Sequence, residues 1–244
     1  MRSLTDFEVL QVWERGQRLH PVDRALALLA AANPNTSWEQ LAHLPVGRRD
    51  EQLLSLREAS FGSRFTSYTE CPHCEARLEF EIEASQLRLP SPDKLEVGNE
   101  GSLEGEGYTI RFRLPDSFDL AAVAQSPDVS MARQTLLQRC VISVEREGIP
   151  ANQLPTLLES QLAESIAQSD PQADLQLDLS CPACGHNWQL TFDIETFLWA
   201  EIKSLAKRLL REVHTLARAY GWRESDILSM SAARRQAYLE LVLG

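Results

Sequence analysis

Two Cys-x-x-Cys pairs that lie far apart in the chain constrain its fold more than any other sequence feature. The pairs are Cys71 with Cys74 and Cys181 with Cys184, and residues 75–180 separate them. Each pair lies at a turn between two stretches in which apolar and polar residues alternate, which is the pattern of a half-buried β-strand. The two pairs are therefore expected at the tips of two similar β-hairpins.

Four thiols on two facing turns make the donor set of a structural zinc site. Two residues between cysteines allow a tight turn to aim both sulfurs at one point, and two such turns complete the tetrahedron that zinc prefers. Gly185 follows the second pair, where a positive φ is easiest for glycine, whereas Glu75 stands at the same place after the first pair. We therefore expect all four cysteines to bind one zinc ion.

The separation of the two halves is unusual, because zinc-ribbon halves are commonly about 15–20 residues apart. Closure entropy grows only logarithmically with loop length, so an inserted region that folds by itself is tolerated. Structural zinc contributes on the order of 10 kcal/mol of apparent free energy, which is enough to tie the halves together. We expect the two ribbon halves at 67–87 and 175–194, with an inserted α+β region at 88–174 between them.

Helical patterns flank the two hairpins. Residues 1–66 are expected to form an N-terminal helical region, in which Thr5 and Glu8 have the spacing of a capping box. Residues 195–244 are expected to form a C-terminal helical region that begins with a continuous apolar stripe over 198–220. The sequence thus predicts a mainly helical α+β fold with a small antiparallel zinc-ribbon β-module assembled from two distant Cys-x-x-Cys hairpins.

The inserted region mixes both periodicities. Alternation predicts a strand at 108–114, and the remaining patterns predict helices at 116–124, 130–144 and 153–168. The glycine-rich and acidic stretch 97–107 is expected to be an exposed loop. Cys140 lies beside apolar residues in the middle of a predicted helix, so we expect a buried small hydrophobe rather than a metal ligand.

The charge balance bears on the partners of the chain. It has 24 Lys and Arg against 35 Asp and Glu, a formal net charge of −11. Nucleic-acid binding normally needs clustered cations, so this balance disfavours nucleic acid as a partner. It favours docking onto a basic protein surface.

The chain carries no sign of export or membrane insertion. No stretch approaches the roughly 18 uninterrupted apolar residues of a membrane-spanning helix. The first residues lack the apolar centre of a signal peptide, so we expect a cytoplasmic protein. A reducing compartment leaves the five cysteines as thiols or metal ligands.

Three other uses of the four cysteines are less favoured than a structural zinc site. Redox-active pairs lie at helix N-termini rather than in hairpins, and disulfides are typical of exported proteins. A catalytic zinc held by three cysteines and a water is disfavoured because four thiolates leave no open position. His73 and His186 could each replace a cysteine, but the complete thiol set makes them unnecessary, and both are expected at the surface.

No catalytic constellation accompanies the cysteines. The sequence contains no phosphate-binding glycine loop, no Gly-x-Ser-x-Gly elbow and no His-Glu-x-x-His motif. We therefore expect a protein that is not an enzyme and has no small-molecule substrate. Near the end of the chain, the basic and apolar residues Arg234, Arg235, Tyr238 and Leu239 are expected to form a partner-docking patch, although arginines that meet the acidic body of the protein would give the same pattern.

Six stretches distributed over nearly the whole chain carry a family resemblance. They occur in the order 21–32, 44–62, 70–74, 112–120, 179–185 and 212–239. In these stretches the chain resembles the baseplate proteins of T-even-like tailed phages and related contractile injection systems. Arg223 departs from the helix-capping Ser or Thr expected at its position, which affects only one short helix.

The resemblance implies a non-catalytic role and carries over no active site. A protein of this kind occupies the baseplate or hub of the injection machine or helps to assemble it, with other baseplate or tail proteins as partners. It would be cytoplasmic during assembly and would either enter the particle or act only in assembly. The alternative function is a zinc-ribbon adaptor of nucleic-acid machinery, which would require a basic face.

Overall fold

In the computed structural model, which describes residues 1–90, 99–151 and 153–243, the chain forms ten α-helices and eight β-strands. The strands make three small antiparallel sheets, and helices hold more than half of the residues. This confirms the prediction of a mainly helical α+β fold. No helix within the described ranges is both long enough and apolar enough to cross a membrane.

Four helices precede the first cysteine hairpin. They are α1 (Asp6–Gly16), α2 (Pro21–Ala32), α3 (Trp38–Ala42) and α4 (Val46–Phe61). The predicted capping box begins α1, because the Thr5 hydroxyl accepts from the Glu8 N–H while the Glu8 carboxylate accepts from the Thr5 N–H. The helix α4 leads directly into the first hairpin, in which β1 (Arg64–Glu70) pairs antiparallel with β2 (Arg77–Glu83).

The chain between the two hairpins forms a second sheet with helices around it. Its elements are β3 (Glu100–Gly105), β4 (Tyr108–Arg113), α5 (Ser117–Val123), α6 (Val129–Cys140), β5 (Val141–Arg146), β6 (Ile149–Pro150) and α7 (Glu159–Ser169). The four strands form one antiparallel sheet in sequence order. The predicted strand at 108–114 corresponds to β4.

The predicted loop at 97–107 is wrong over residues 100–105, although Asn99, Glu106 and Gly107 lie in exposed turns. Residues 100–105 form β3 and pair with β4, while 97–98 lie outside the described residues. A Cβ added to Gly101 would lie only 2.4 Å from the Phe112 ring. Gly101 is therefore needed for close packing within a strand, and a glycine at this position does not indicate a loop.

The helix predicted over 130–144 is wrong at its C-terminal end. The helix α6 ends at Cys140, and the next residues turn directly into β5. The β-branched residues Val141, Ile142 and Val144 favour an extended backbone, and β4 supplies the hydrogen-bonding partner for it. Only tertiary pairing separates the two elements, because their apolar residues follow each other without a break.

The second hairpin and three helices complete the chain. They are β7 (Gln176–Ser180), β8 (Asn187–Thr191), α8 (Ile194–Tyr220), α9 (Glu224–Leu228) and α10 (Ala232–Leu243). The predicted apolar stripe over 198–220 lies on α8, and Gly221 ends that helix with a left-handed φ of 68°. The N-cap residue of α9, Arg223, makes no side-chain capping hydrogen bond, as the sequence indicated.

One large hydrophobic core joins the helices to the bases of both hairpins. The apolar faces of α1, α2, α4 and α8 meet there with Phe65 and Ile82 from the first hairpin and Leu175 and Phe192 from the second. Burial of each such side chain contributes about 1.5–3 kcal/mol. The hairpins are therefore fixed at their bases by the same core, although more than ninety residues separate them in sequence.

A second core lies within the inserted region. Its buried residues are Ile110, Phe112, Leu137, Val144, Leu158 and Leu162, which come from the sheet, from α6 and from the chain around the start of α7. The insert also contacts the start of α4, where the Gly47 N–H donates to Asp170 Oδ2 at 2.8 Å. The four-part division of the chain at 66, 87, 174 and 194 stays a prediction.

Candidate metal centre

The two cysteine turns have the same backbone hydrogen bonds. The N–H of the first cysteine donates to the carbonyl five residues later, from Cys71 to Ala76 at 2.9 Å and from Cys181 to His186 at 2.8 Å. Both turns therefore close in the same way and direct the two sulfurs of each pair to one side. The chain thus contains two copies of one local structure, as the repeated motif indicated.

The residue after each pair has a left-handed backbone. Glu75 has φ 59° and Gly185 has φ 72°, and each donates its N–H to the carbonyl of the first cysteine of its turn, at 2.9 and 2.8 Å respectively. A left-handed backbone costs roughly 1–2 kcal/mol in a residue with a Cβ and little in glycine. The first turn is therefore the more strained of the two.

The four sulfurs come together across the two hairpins. Cys71 Sγ lies 3.7 Å from Cys184 Sγ, and Cys74 Sγ lies 3.6 Å from Cys181 Sγ. All four atoms lie within 4.8 Å of one another. A tetrahedron with metal–sulfur bonds of about 2.3 Å has sulfurs about 3.8 Å apart, so the cluster has the size of a four-thiolate metal site.

These distances exclude disulfides in the structure, because a disulfide needs sulfurs about 2.05 Å apart. All five cysteines are free thiols. The short contacts join the first cysteine of one turn to the second cysteine of the other. A metal ion at the centre would therefore link the two hairpins rather than close either one alone.

Backbone N–H groups point at the sulfurs and favour thiolates. Burial raises the pKa of Cys181, but the N–H groups of Cys184 and Ala183 and the neighbouring thiols lower it to about 7. The His186 N–H lowers the pKa of Cys184, but burial and the other three thiols outweigh it and raise that pKa to about 12. Four adjacent thiols thus resist losing all their protons unless a cation compensates the charge.

The two histidines near the cysteines lie outside the sulfur cluster. His73 is exposed, His186 is half-buried, and their rings stack with centroids 5.4 Å apart. Throughout the described residues, the four cysteines are the only group of three or more candidate side chains close enough to share a metal ion. The cluster therefore has a complete set of thiols without either imidazole.

Cys140 takes no part in the cluster. It is fully buried at the end of α6, and burial raises the pKa of its thiol to about 12. A buried neutral thiol behaves as a small apolar side chain. This placement agrees with its predicted role.

Each hairpin is joined directly to a helix, which limits its movement. Only Gly62 and Ser63 separate α4 from β1. After β8, the Asp193 carboxylate caps α8 by accepting from the Glu195 N–H at 3.0 Å. The short connections hold both hairpins close to the main core, so the tips that carry the sulfurs are held at a defined separation.

The predicted docking patch near the end of the chain divides between surface and interior. Arg235 is 2% exposed and pairs with Asp6 at 2.6 Å and Glu212 at 2.9 Å, while Leu239 is also buried. Arg234 is exposed and lies over the half-buried Tyr238 ring, 5.8 Å from its centroid. Two of the four residues thus hold α10 in place, and partner docking by the patch stays a prediction.

Comparison with known proteins identifies a matching family. The family model described as T4 bacteriophage base plate protein matches residues 27–199. That range covers most of the chain and includes all four clustered cysteines and the region inserted between them. No curated protein and no solved structure matches the chain.

Proposed function

The chain belongs to the T4 bacteriophage base plate protein family, and from this we propose that it is a non-catalytic component of the baseplate or hub of a contractile phage tail or phage-tail-like injection system. It either forms part of that structure or acts in its assembly, with other baseplate or tail proteins as partners. The observation that carries the proposal is the family match over residues 27–199. The family resemblance of the sequence agrees with it.

We propose that the metal is zinc and that its role is structural. Four thiolates in a tetrahedral arrangement are a donor set typical of structural zinc. When bound, zinc supplies a rigid cross-link between two β-turns. The cysteines supply the sulfur ligands, and the N–H groups of the turns stabilise the thiolate charge.

A structural role for the metal fits the proposed role of the protein. A baseplate component must keep its shape while it contacts several partners, and a cross-link between distant segments of one core serves that purpose. A site closed by four sulfurs leaves no position for a substrate or a reactive water. Both the family and the donor set therefore favour a non-catalytic protein.

The proposed function is tested by deleting the gene that encodes the chain. Complete tails should disappear in electron micrographs, and expression of the wild-type chain from a plasmid should restore them. A tagged copy should co-purify with baseplate or tail proteins that mass spectrometry identifies. Normal tails formed without the chain would refute the proposal.

The same complementation assay tests the structural role of the metal. A Cys74→Ser chain should fail to restore tails, whereas a Cys140→Ala chain, which also loses a thiol, should restore them. Restoration by Cys74→Ser at wild-type level would show that the sulfur cluster is dispensable for assembly.

A further inference from the structure

One side of α8 carries a row of exposed basic side chains, which we name the basic stripe. It consists of Lys203, Lys207, Arg211, His214 and Arg218. The steps of three and four residues place these side chains on one side of the helix. The row is continuous over about four turns.

The basic stripe is not neutralised within the described part of the molecule. None of Lys203, Lys207, Arg211 and Arg218 forms an ion pair with another described residue. The glutamates near the stripe, Glu201 and Glu212, lie on the other side of α8. They pair there with arginines that include Arg57 and Arg235. A chain with a net charge of −11 thus keeps a row of unpaired cations on its longest helix.

The outer side of the first hairpin carries the complementary pattern, which we name the acidic face. Glu79, Glu81 and Glu83 alternate along β2 and therefore point to the same side. Arg64 lies 3.7 Å from Glu81 and 3.5 Å from Glu83, so it offsets part of this charge. No acid of this face pairs with the basic stripe among the described residues of the same molecule.

The spacings of the two surfaces agree. Cations four residues apart on a helix are separated by about 6 Å along its axis. Carboxylates two residues apart on a strand are separated by about 6.8 Å. Three consecutive cations, Lys203, Lys207 and Arg211, therefore match the three glutamates of the acidic face.

Each surface also has an exposed apolar side chain beside its charges. Leu210 borders the basic stripe between Lys207 and Arg211 and is 37% exposed. Tyr68 stands beside Glu79 on the acidic face and is 73% exposed. Exposed aliphatic and aromatic groups next to complementary charges are typical of protein–protein contacts.

We propose that the basic stripe of one molecule binds the acidic face of a second copy of this chain. The contact joins two different surfaces, so it is heterologous and each copy keeps one free surface for the next. Repetition of the contact builds a ring or a filament. The net negative charge of the remaining surface repels phosphate, which favours a protein surface over nucleic acid as the occupant.

Sedimentation velocity of the purified chain tests the proposal directly. At about 100 µM protein and about 50 mM NaCl, the wild type should form dimers and larger species. Association should weaken at least about tenfold at about 300 mM NaCl, because salt screens exposed charges. A wild type that stays monomeric at low salt would overturn the proposal.

Charge reversal gives the sharper test. The variant Lys203→Glu/Lys207→Glu/Arg211→Glu should associate at least about tenfold more weakly than the wild type. The variant Glu79→Lys/Glu81→Lys/Glu83→Lys should do the same. An equal mixture of the two variants should associate again, because the now acidic α8 surface of one variant can bind the now basic hairpin surface of the other. Two variants that stay monomeric when mixed would overturn the proposed pairing.

The control separates local from overall charge. The variant Arg15→Glu/Arg18→Glu/Arg133→Glu changes the net charge as much as the basic-stripe variant does, but at other exposed positions. It should associate like the wild type, and all variants should keep wild-type metal content and thermal midpoint. If the wild type instead binds labelled duplex DNA as a monomer and the stripe variant does not, the stripe is a nucleic-acid surface and the proposal is overturned. The outcome does not depend on the baseplate function, which the deletion experiment tests separately.

Discussion

Arg57 on α4 and Glu201 on α8 form a two-point ion pair at the base of the first cysteine hairpin. Arg57 Nε lies 2.9 Å from Glu201 Oε2, and Arg57 Nη2 lies 2.7 Å from Glu201 Oε1. The same guanidinium lies over the Phe65 ring, 3.8 Å from its centroid, and donates to the Gly62 carbonyl at 2.7 Å. One side chain therefore fixes the helix that enters the hairpin, its first strand and the helix that follows the second hairpin.

Loss of Arg57 is expected to destabilise the whole molecule. The side chain is 4% exposed, so Arg57→Ala leaves the Glu201 carboxylate without its partner and removes packing from Phe65. The free energy of unfolding should fall by about 3 kcal/mol in urea titrations. Arg64→Ala is the control, because its exposed ion pairs should contribute less than about 1 kcal/mol. Equal losses for the two variants would contradict this account.

Loss of one clustered thiol is expected to abolish stable metal binding. Cys74→Ser should lose the bound zinc in native mass spectrometry and should fail to fold as a soluble protein, because metal binding is coupled to folding. Cys140→Ala should keep the metal, since that thiol lies outside the cluster. A Cys74→Ser protein that melts like the wild type would refute the cross-link between the hairpins.

The left-handed residues of the two turns give a pair of opposite predictions. Glu75→Gly should raise the free energy of unfolding by up to about 1 kcal/mol, because glycine adopts this backbone without the Cβ penalty. Gly185→Ala should lower the free energy of unfolding by about 1 kcal/mol, because alanine adopts a left-handed backbone only at a cost. The added Cβ would meet no atom within 4 Å, so a steric clash would not contribute to this loss. Both effects are measurable by urea unfolding with zinc bound. Changes of the same sign would show that backbone strain is not the cause.

The inserted region contains a carboxylate whose charge stabilises the fold. Asp119 is fully buried, and burial raises its pKa. Arg113, the backbone N–H of Asp116 and Arg139 outweigh that effect and lower the pKa from 3.8 to about 2. The charged form is thus favoured in the folded state. Its stabilisation is complete above about pH 4 and is lost as the pH falls toward 2.

The lowered pKa of Asp119 gives a pH-dependent prediction for Asp119→Asn. The variant should be less stable than the wild type by on the order of 2 kcal/mol near neutral pH. The difference should shrink between about pH 4 and pH 2, because the wild-type carboxyl then becomes neutral as well. Denaturant titrations of both proteins across this range measure the difference, and any loss of the proposed metal in acid affects both proteins alike. A constant difference would contradict the assigned pKa.

Two neighbouring arginines on α10 separate folding from docking. Arg235→Ala should destabilise the protein by about 3 kcal/mol, because it leaves Asp6 and Glu212 without their buried partner. Arg234→Ala should change stability by less than about 0.5 kcal/mol, since its side chain is exposed. If the predicted docking patch is correct, Arg234→Ala should still reduce co-purification of tail proteins. Unchanged co-purification would remove Arg234 from the partner surface.

Features set by short-range patterns could be predicted well from the sequence. The capping box of α1, the stop of α8 at Gly221 and the repeated cysteine turns depend on residues within a few positions of one another. The glycine at 185 and the glutamate at 75 indicated in advance which turn is strained. Four cysteines in two such turns were therefore enough to predict the sulfur cluster.

Features set by long-range contacts could not be predicted in the same way. The strand β3 is stabilised by pairing with β4, and Gly101 is explained only by the Phe112 ring that packs on it. Likewise, Val141 continues an apolar pattern that predicts a helix, but pairing with β4 places it in a strand.

The residues near the end of the chain show the same limit. Nothing in the local sequence distinguishes Arg234 from Arg235, yet one is exposed and the other is buried between α1 and α8. The sequence by itself determined the four clustered cysteines and the mainly helical α+β character, because both follow from residue types at fixed short spacings. Only the tertiary structure decided which cysteine sulfurs are in contact and which arginines form buried ion pairs. Those contacts depend on how distant segments of the chain pack in one core.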